Sequence, residues 1–410
     1  MMTINTTCRD CGSKNLVKFL DLGNQPLANS FIKPEDLLQT EQRYPLEVYF
    51  CTECRLAQLT HVVDKSEMFR HYLYFSSGMP KVSPHWQAYA QDVISRFLAK
   101  EDLVVEVGSN DGVLLKFFKE SGLKVLGVDP AENIAKIAEE RGVPTLATFF
   151  TEAVASDIVK KYGQAKAVLA NNVFAHIDDH HGFCAAAKTL LAPQGVLVIE
   201  APYLVDMFEN LAYDTVYHEH LSYLAVSPLV RLFKKFGLEI FDVKIVATQG
   251  QSLRIFVSHV GAYKVEDAVA SLLSKEDALG LGSIDAYYAL AKRVELSKNK
   301  LLSVLGELKS RGKTIYGYGA PAKGNTLLNY CGIGPDMVQY ALEDLPSKHN
   351  MVTPGTHIPV ITRAFAEANP PDYYLLLAWN YKKAILEKGG IFMRNGGKFI
   401  IPIGDEIEIL

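Results

Sequence analysis

Histidine, glutamate and tyrosine are concentrated in one short stretch of the chain, residues 215–223. His218, Glu219 and His220 follow Tyr217 directly, in a chain with only 11 histidines. Histidine changes charge near neutral pH, and a neighbouring carboxyl or phenol group can fix its tautomer and tune its pKa. The stretch therefore suits proton transfer at a substrate. On its own it could equally hold surface histidines, or core histidines whose hydrogen bonds are all made within the protein. The elements around the stretch must therefore decide whether it is an active site.

Four of the six cysteines lie near the start of the chain in two C-x-x-C pairs: Cys8, Cys11, Cys51 and Cys54. Each pair presents two thiolates from one tight turn, and two pairs complete the tetrahedral sulfur shell that Zn²⁺ prefers. Four protein ligands leave no open position, so this zinc is expected to be structural. Two disulfides or redox pairs are the alternative, which a cytosolic setting disfavours. The isolated Cys184 and Cys331 are expected to be small core residues.

The composition is that of an ordinary globular protein. The chain has 410 residues, 49% of them hydrophobic and 21% charged, which fits two or three domains. A net charge of −4 and a pI near 6.3 argue against a nucleic-acid binder, and residues 1–65 lack the dense Lys/Arg run that a nucleic-acid-binding zinc knuckle would show. No apolar run approaches the ~20 residues of a membrane span, and no signal peptide is visible. We expect a cytoplasmic protein with no membrane partner, whose oligomeric state stays open and includes a monomer.

Residues 100–260 are predicted to alternate between strands and helices. The predicted strands cover residues 103–107, 124–128, 165–170 and 195–200. This pattern is typical of an open parallel α/β sheet, which binds its ligands at the carboxyl ends of the strands.

The ends of the first two strands carry a cofactor signal. The first strand ends in a glycine-rich turn, residues 108–112, and Asp129 stands at the tip of the second. Such a turn lets a ligand approach the backbone, and the acidic residue can accept both hydroxyls of a ribose. The turn is not G-x-G-x-x-G, and Asp111 beside Asn110 would repel a pyrophosphate but attract a cationic amino or sulfonium group. These features predict S-adenosylmethionine (SAM) rather than NAD; the alternative is a plain turn with a solvated Asp129.

A second α/β unit follows a helical region. Residues 262–311 are predicted to form helices that bridge two domains, with a break at 280–283. Strands are then expected at residues 313–316, 338–342, 373–378 and 398–401. The turn Gly317–Gly324 fits G-x-G-x-x-A, and Glu343 stands about 20 residues on, as an NAD ribose acceptor would. Lys323, at the start of the helix, would equally suit a phosphate-bearing ligand.

Several of these motifs together resemble one family. Residues 106–112, Glu-Val-Gly-Ser-Asn-Asp-Gly, look like the first motif of class I methyltransferases. The zinc pairs, the Tyr-His-Glu-His run and the C-terminal unit occur in the same order in the sugar C-methyltransferases that act on nucleotide-linked 4-keto deoxysugars. The resemblance covers essentially the whole chain. It implies a zinc-binding domain at 1–70, a methyltransferase domain at 71–262, and a helical bridge with a Rossmann-like domain at 263–410. One departure is Gly78-Met79-Pro80, where family members often have a serine- and tyrosine-rich run.

The resemblance also implies roles for individual residues. His220 would be the catalytic base, with Tyr217, Glu219 and His176 lining the site, and Tyr72 or Tyr74 closing it. His176 lies just past the third strand, on the edge where the site belongs, whereas His180 and His181 are expected to be solvated. The predicted SAM contacts are Glu106, Gly108, Ser109, Asn110, Gly112, Asp129, Asn171 and Asn172. The predicted substrate contacts are His218, Gly319, Lys323, Gly324, Glu343 and His357.

The predicted function is SAM-dependent methylation at a carbon of a nucleotide-linked 4-keto deoxysugar, with dTDP favoured as the nucleotide. The ketone makes the adjacent C–H acidic, which explains why a cluster of bases is needed. One alternative is an NAD(P)-dependent oxidoreductase of nucleotide sugars that uses the C-terminal glycine motif. Another is a non-catalytic, zinc-stapled module that binds a sugar nucleotide.

Overall fold

The fold comprises four β-sheets and thirteen α-helices, besides short 3₁₀ helices, in the part of the chain that the computed structural model describes: residues 2–64, 68, 82–248 and 250–410. Tyr72 and Tyr74, the predicted closing tyrosines, lie outside these residues, as does the predicted domain boundary near residue 70.

The strands, in chain order, are β1 Met2–Ile4, β2 Leu16–Gln25, β3 Tyr44–Cys51, β4 Ala57–Leu59, β5 His61–Val63, β6 Leu103–Val107, β7 Lys124–Val128, β8 Thr145–Leu146, β9 Ala165–Asn171, β10 Leu191–Pro202, β11 Ser222–Tyr223, β12 Leu238–Val246, β13 Ser252–His259, β14 Ile315–Tyr318, β15 Tyr340–Leu342, β16 Val360–Ile361, β17 Tyr373–Leu376, β18 Lys398–Ile401 and β19 Glu408–Ile409.

The α-helices are α1 Val82–Phe97, α2 Val113–Glu120, α3 Glu132–Glu140, α4 Glu152–Tyr162, α5 His180–Leu190, α6 Leu204–Glu209, α7 Val226–Lys235, α8 Asp267–Ala278, α9 Ile284–Ser310, α10 Ala322–Cys331, α11 Arg363–Ala368, α12 Lys382–Lys388 and α13 Gly390–Arg394. None of the helices in the described ranges is both long and apolar enough to cross a membrane.

The central sheet has seven strands in the order β12-β13-β10-β9-β6-β7-β8. The five strands from β10 to β8 are parallel, as predicted, but β13 runs antiparallel to its neighbours β10 and β12, so that β12 points the same way as the five. The sequence did not reveal this pair, because an apolar run does not show which way a strand points. Successive residues of β6 enter different cores, Val104 on one face of the sheet and Val105 on the other. Helices on both faces therefore bury this strand completely.

The strand register brings the predicted ligand contacts to one edge. Val107 pairs with Val128, and Glu200 pairs with Asn171, so neighbouring strands end at similar levels. The loops that carry Gly108, Asp129 and Asn172 consequently meet at the carboxyl edge of the sheet.

The N-terminal unit shares a sheet with the central domain. Strand β11, which starts two residues after His220, pairs with β4 to complete a four-stranded sheet in the order β11-β4-β3-β2. The predicted helical bridge is present as α8 and α9. Tyr287 of α9 packs against Phe19 and Phe50 of the N-terminal sheet, with ring centroids 4.8 and 4.5 Å apart.

The C-terminal unit is a six-stranded sheet in the order β16-β15-β14-β17-β18-β19, parallel except for β19. Helix α9 is tied to it by Arg293, which forms a salt bridge of 2.8 Å with Asp405, and by Ser297, whose hydroxyl donates to Gly404 O at 2.8 Å. The second α/β unit predicted from the glycine motif is therefore confirmed.

Candidate active site

His220 is held as a proton acceptor by its two neighbours. Its Nδ1 lies 2.7 Å from the carbonyl oxygen of Thr215, and its Nε2 lies 2.7 Å from the hydroxyl of Tyr217. A carbonyl can only accept, so Nδ1 carries the proton and Nε2 keeps its lone pair, which accepts from the Tyr217 hydroxyl. The unprotonated nitrogen is therefore on the phenol side of the ring.

His176 stands next to His220, with ring centroids 5.0 Å apart. It ends the short 3₁₀ helix Phe174–His176 that follows β9. Burial lowers the pKa of His176 to about 4. Burial also lowers the pKa of His220 well below its usual value, and the proximity of His176 and Lys323 lowers it further. Both imidazoles are therefore neutral at pH 7 and able to accept a proton.

The other two residues of the cluster face the N-terminal unit. Glu219 accepts a hydrogen bond of 2.6 Å from the amide of Asn29. His218 lies edge-on to Tyr44, and its Nε2 is 3.3 Å from the Tyr44 carbonyl oxygen. Tyr217 and His220 therefore face each other, whereas His218 and Glu219 face the N-terminal unit. The substrate role predicted for His218 stays a prediction.

Lys323 of α10 brings a positive charge from the C-terminal unit to this site. Its side chain is buried, and within the described chain its Nζ has no hydrogen-bond partner. The Nζ lies 4.7 Å from the ring centroid of Trp379. Burial lowers the pKa of Lys323, an effect that Asp214 and Asp206 oppose. Asp214 is itself fixed by a hydrogen bond of 2.6 Å from the Trp379 indole. The sequence proposed Lys323 for a phosphate, but showed neither Trp379 nor Asp214.

A narrow cleft opens beside His220. Among its lining residues are Ala175, Pro202, Met207, Thr215, Ser222 and Tyr223. These residues come from the end of β10, from the segments that follow β9 and β10, including α6, and from the stretch 215–223 around His220. The cleft therefore joins His220 to the edge of the sheet where a cofactor is expected.

The glycine-rich turn after β6 keeps the backbone open at that edge. Gly108 has φ +67°, and a Cβ there would come within 2.9 Å of Val173. Asn110 and Asn172 also adopt left-handed conformations, with φ values of 47° and 53°. Strained backbone of this kind concentrates at functional sites.

The acidic residues around the turn have different tasks. Asp129 accepts hydrogen bonds of 2.9 Å from the amides of Asn110 and Ala131, which orient it toward the turn. Asp111, predicted to attract a cationic ligand, is instead fully buried and paired with Arg141 at 2.7 Å. That part of the cofactor argument was wrong, because the arginine on the neighbouring helix could not be seen from local sequence.

The carboxyl group that does meet the cofactor edge is Glu106. Burial raises its pKa to about 8, although Asn171 donates to it at 3.3 Å. In the described ranges, one oxygen of Glu106, the Ser109 hydroxyl and the side-chain oxygens of Asn171 and Asn172 are buried without a hydrogen-bond partner. Buried polar atoms are rarely left unpaired in proteins. Such a set fits a polar, cationic ligand such as SAM.

A further charged group at this edge was not predicted. Glu200 of β10 accepts from both Arg254, at 2.7 Å, and His85 of α1, at 2.8 Å. Its position at the carboxyl end of a strand was the only signal in the sequence. The network anchors the start of α1 to the cofactor edge.

The four predicted zinc ligands come together. All four sulfur atoms lie within 4.8 Å of one another. Sγ of Cys8 is 3.4 Å from that of Cys54, and Sγ of Cys11 is 3.5 Å from that of Cys51. These separations are too long for disulfide bonds but suit a tetrahedral Zn²⁺ with Zn–S bonds of about 2.3 Å. The amide of Gln58 also donates to the Cys8 sulfur at 3.1 Å, as expected around a thiolate ligand.

His180 is not solvated, so that expectation was wrong for it, whereas His181 is exposed, as expected. His180 is fully buried, with its Nδ1 2.5 Å from a carboxylate oxygen of Asp10. His181 Nε2 is 2.7 Å from the backbone oxygen of the same aspartate. The N-terminal unit packs on the start of α5, a long-range contact that no local pattern encodes.

The C-terminal glycine motif allows close packing of α10 on the sheet, and its predicted substrate contacts stay predictions. A Cβ at Gly324 would lie 2.8 Å from Leu377, so this glycine allows close helix–strand packing. Glu343 accepts from the amides of Ala320 at 3.1 Å, in the glycine turn, and of Asp344 at 2.8 Å, which is the pattern that Asp129 shows in the central domain. Gly319 lies in that turn with φ +85°.

The loop that carries His357 contacts the N-terminal unit. His357 Nε2 lies 3.6 Å from Glu41, whose carboxylate also accepts from the amide of Gly355 at 2.8 Å. The side chain of His357 is half-exposed. Its predicted substrate contact stays a prediction.

Comparison with known proteins identifies the family. A zinc binding domain family matches residues 8–69, a methyltransferase domain family matches 84–243, and a C-methyltransferase C-terminal domain family matches 247–404. The C-methyltransferase NovU of Streptomyces niveus is 37% identical over 398 residues, which span 97% of this chain and 95% of NovU. The chain belongs to the C-methyltransferase family. As a member it is a methyltransferase that uses SAM and carries an N-terminal zinc-binding domain, and the groups described above fit both.

Other similarities to this C-methyltransferase are partial. A ubiquinone biosynthesis O-methyltransferase of Burkholderia pseudomallei is 22% identical over 173 residues, 38% of this chain and 72% of the relative. A magnesium protoporphyrin IX methyltransferase from Synechocystis, solved with bound S-adenosylhomocysteine, covers 43% of this chain and 82% of its own at 13% identity and a TM-score of 0.34. A SAM-dependent methyltransferase from Archaeoglobus fulgidus covers 43% and 93% at 16% identity and a TM-score of 0.35.

Proposed function

We propose that this C-methyltransferase acts on a nucleotide-linked 4-keto deoxysugar, with dTDP as the nucleotide, and methylates a carbon next to the ketone. The observation that carries the proposal is the neutral His220, whose unprotonated Nε2 lies 2.7 Å from the Tyr217 hydroxyl. Methylation at oxygen or nitrogen can rely largely on positioning. A carbon next to a ketone must first lose a proton, and that requires a base.

His220 performs the proton transfer in this proposal. The substrate C–H approaches Nε2, the proton passes to that nitrogen, and the electron pair of the C–H bond becomes the enolate. Thr215 supports the step, because its carbonyl accepts the Nδ1 proton at 2.7 Å and stabilises the imidazolium that forms. The low pKa of His220 keeps the ring unprotonated until substrate arrives.

Tyr217 and His176 stabilise the enolate oxygen. The Tyr217 hydroxyl is released from Nε2 when the ring takes up the substrate proton, and can then donate to the oxygen that gains charge. The His176 ring, whose centroid lies 5.0 Å from that of His220, is proposed as a second donor to this oxygen. SAM, when bound at the edge that carries Glu106 and Asp129, would supply an electrophilic methyl group; the enolate carbon would bond to this methyl as the S–CH₃ bond breaks, which leaves S-adenosylhomocysteine.

Lys323 and its surroundings are proposed to hold the nucleotide end of the substrate. An ammonium group that is buried without a hydrogen-bond partner in the described chain favours an anionic ligand, because the ligand would restore the lost solvation. The loop that carries His357 packs on the same helix, α10, where the Asn329 amide donates to Pro354 O at 3.0 Å. The cation comes from one unit and the base from another, so the substrate would lie between them.

The test uses SAM with a labelled methyl group and a panel of 4-keto nucleotide sugars that differ in nucleotide and ring substitution. The expected product carries label in a new carbon-bound methyl group. Each substrate is paired with its 4-hydroxy counterpart, which lacks the acidic C–H and should accept no label. Label on oxygen, or equal labelling of both members of a pair, would contradict the proposal. Tight binding of NADH with no binding of S-adenosylhomocysteine would favour an oxidoreductase.

A further inference from the structure

The two residues between the first pair of zinc cysteines, Arg9 and Asp10, reach into the central domain. The Arg9 side chain is only 2% exposed, although it carries a charge. Its guanidinium donates to Leu221 O at 2.6 Å and to Asp178 at 3.1 Å. Leu221 follows His220 directly, and Asp178 lies two residues after His176. A single guanidinium group therefore binds both the loop that carries His220 and the loop that carries His176.

Strand pairing reinforces this attachment. The amide of Leu59 in β4 donates to the same Leu221 carbonyl at 2.9 Å, next to the pairing of Ser222 with Gln58. The segment after His220 is therefore held by the sheet of the zinc-binding unit, whereas the segment before His220 belongs to the central domain.

Asp10 holds the other loop. Its carboxylate is 2.5 Å from Nδ1 of His180, and that ring stacks on Phe174 with centroids 4.4 Å apart. Phe174 begins the 3₁₀ helix that His176 ends. His180 Nε2 also lies 3.4 Å from the Ser222 hydroxyl on the His220 side. Asp10 therefore acts on both loops through a single buried ring.

We propose that Arg9 and Asp10 are positioning residues for the two histidines, so that Zn²⁺ in this C-methyltransferase fixes the active site as well as the N-terminal fold. The proposal rests on the proposed function, because it matters for catalysis only if His220 and His176 act there. The zinc-binding turn fixes the backbone on either side of Arg9. The hydrogen bonds from the Arg9 guanidinium then restrict the two loops that carry His176 and His220. A misplacement of about 1 Å in such a loop can reduce the rate roughly a hundredfold.

The test compares Arg9→Gln with Arg55→Gln in the zinc-loaded full chain. Arg55 is the matched control, because it follows Cys54 directly but forms a salt bridge of 3.0 Å with the exposed Asp277, on α8. Proton–carbon spectra of labelled histidine report on the rings, with signals assigned from His220→Asn and His176→Asn. We expect Arg9→Gln to shift both ring signals while zinc content stays at one ion per chain and the Kd for S-adenosylhomocysteine changes less than twofold. Arg55→Gln should leave both signals in place.

Turnover gives a second readout. With a competent 4-keto substrate, Arg9→Gln should lower kcat about tenfold to a hundredfold with little change in KM for SAM. If Arg9→Gln does not fold, Arg9→Lys keeps the charge but cannot serve both loops, and should show smaller effects in the same direction. Unshifted His220 and His176 signals in the folded Arg9 variants would overturn the proposal. Because the spectra need no substrate, a failure of the proposed function would leave this result intact.

Discussion

The hydroxyl of Tyr217 lies 2.7 Å from Nε2 of His220 and donates to it, because Nδ1 of the same ring is committed to the Thr215 carbonyl. In the proposed mechanism, His220 is the neutral base, and the substrate displaces the Tyr217 hydroxyl from its Nε2. Both groups come from one turn of chain, three residues apart. Their relationship underlies the first and the last prediction below.

Replacing Tyr217 with phenylalanine should lower kcat about tenfold to a hundredfold, because the enolate oxygen loses one donor while the base is retained. The ring remains, so packing against His220, with centroids 4.0 Å apart, should persist. Steady-state methyl transfer measures the effect, and calorimetry should show unchanged binding of S-adenosylhomocysteine. Tyr162→Phe, at an exposed tyrosine at the end of α4, is the control. Wild-type turnover in Tyr217→Phe would exclude the hydroxyl from the chemistry.

Asp129→Asn should weaken binding of S-adenosylhomocysteine about tenfold or more. The carboxylate is oriented by the amides of Asn110 and Ala131, and charged acceptors form hydrogen bonds worth about 1.5–3 kcal/mol. Titration calorimetry gives the Kd. Asp157→Asn, on the exposed face of α4, controls for loss of one negative charge. Equal affinity in the two variants would show that the predicted ribose contact is absent.

Lys323→Met should weaken binding of dTDP to the complex with S-adenosylhomocysteine about tenfold to a hundredfold, because one ion-assisted contact is lost. Stability should not fall, since methionine keeps the apolar stem and removes a buried charge that lacks a hydrogen-bond partner in the described chain. Lys298→Met is the control, because its Nζ lies 4.3 Å from the Tyr330 ring centroid in a comparable contact with an aromatic ring. A similar dTDP affinity in both variants would remove Lys323 from the nucleotide site.

The unfolding free energy should fall as the pH drops below about 6.5. Burial lowers the pKa of His176 and of His218 from 6.5 to about 4 in the folded protein. The unfolded chain therefore binds more protons between these values, and acid favours it. Each of the two histidines should contribute about 1 kcal/mol of the loss between pH 7 and pH 5.5. Urea denaturation of His176→Asn should show a correspondingly smaller loss, with His357→Asn as the control for removal of a half-exposed imidazole. The same pH slope in His176→Asn and wild type would contradict the assigned pKa.

Features with a local signature could be predicted from the sequence. The paired cysteines showed the zinc site, because metal geometry demands a particular spacing. The turn after β6 and the acid at Asp129 showed the cofactor edge, because parallel strands place their carboxyl ends together. His220 was chosen over His218 by resemblance alone, and the structure gives the choice a physical basis in the Thr215 and Tyr217 contacts.

Features that depend on which units pack together could not be predicted. Asp111 was expected to face the cofactor, but Arg141 lies 30 residues away along the chain and neutralises it. Likewise, Arg9 contacts Leu221 across 212 residues, and no periodicity or spacing connects them. The role of the C-terminal glycine motif stays a prediction for a related reason, because the sequence cannot distinguish a glycine needed for helix–strand packing from one needed for a phosphate.

The most direct test of the central claim follows exchange of the proton next to the ketone. A 4-keto nucleotide sugar is incubated in deuterium oxide with the enzyme and S-adenosylhomocysteine, so that deprotonation occurs without methyl transfer, and deuterium uptake is measured by mass spectrometry. We predict that the wild-type protein catalyses exchange at one carbon and that His220→Asn does so at least about a hundredfold more slowly. Exchange by His220→Asn at the wild-type rate would show that His220 is not the base.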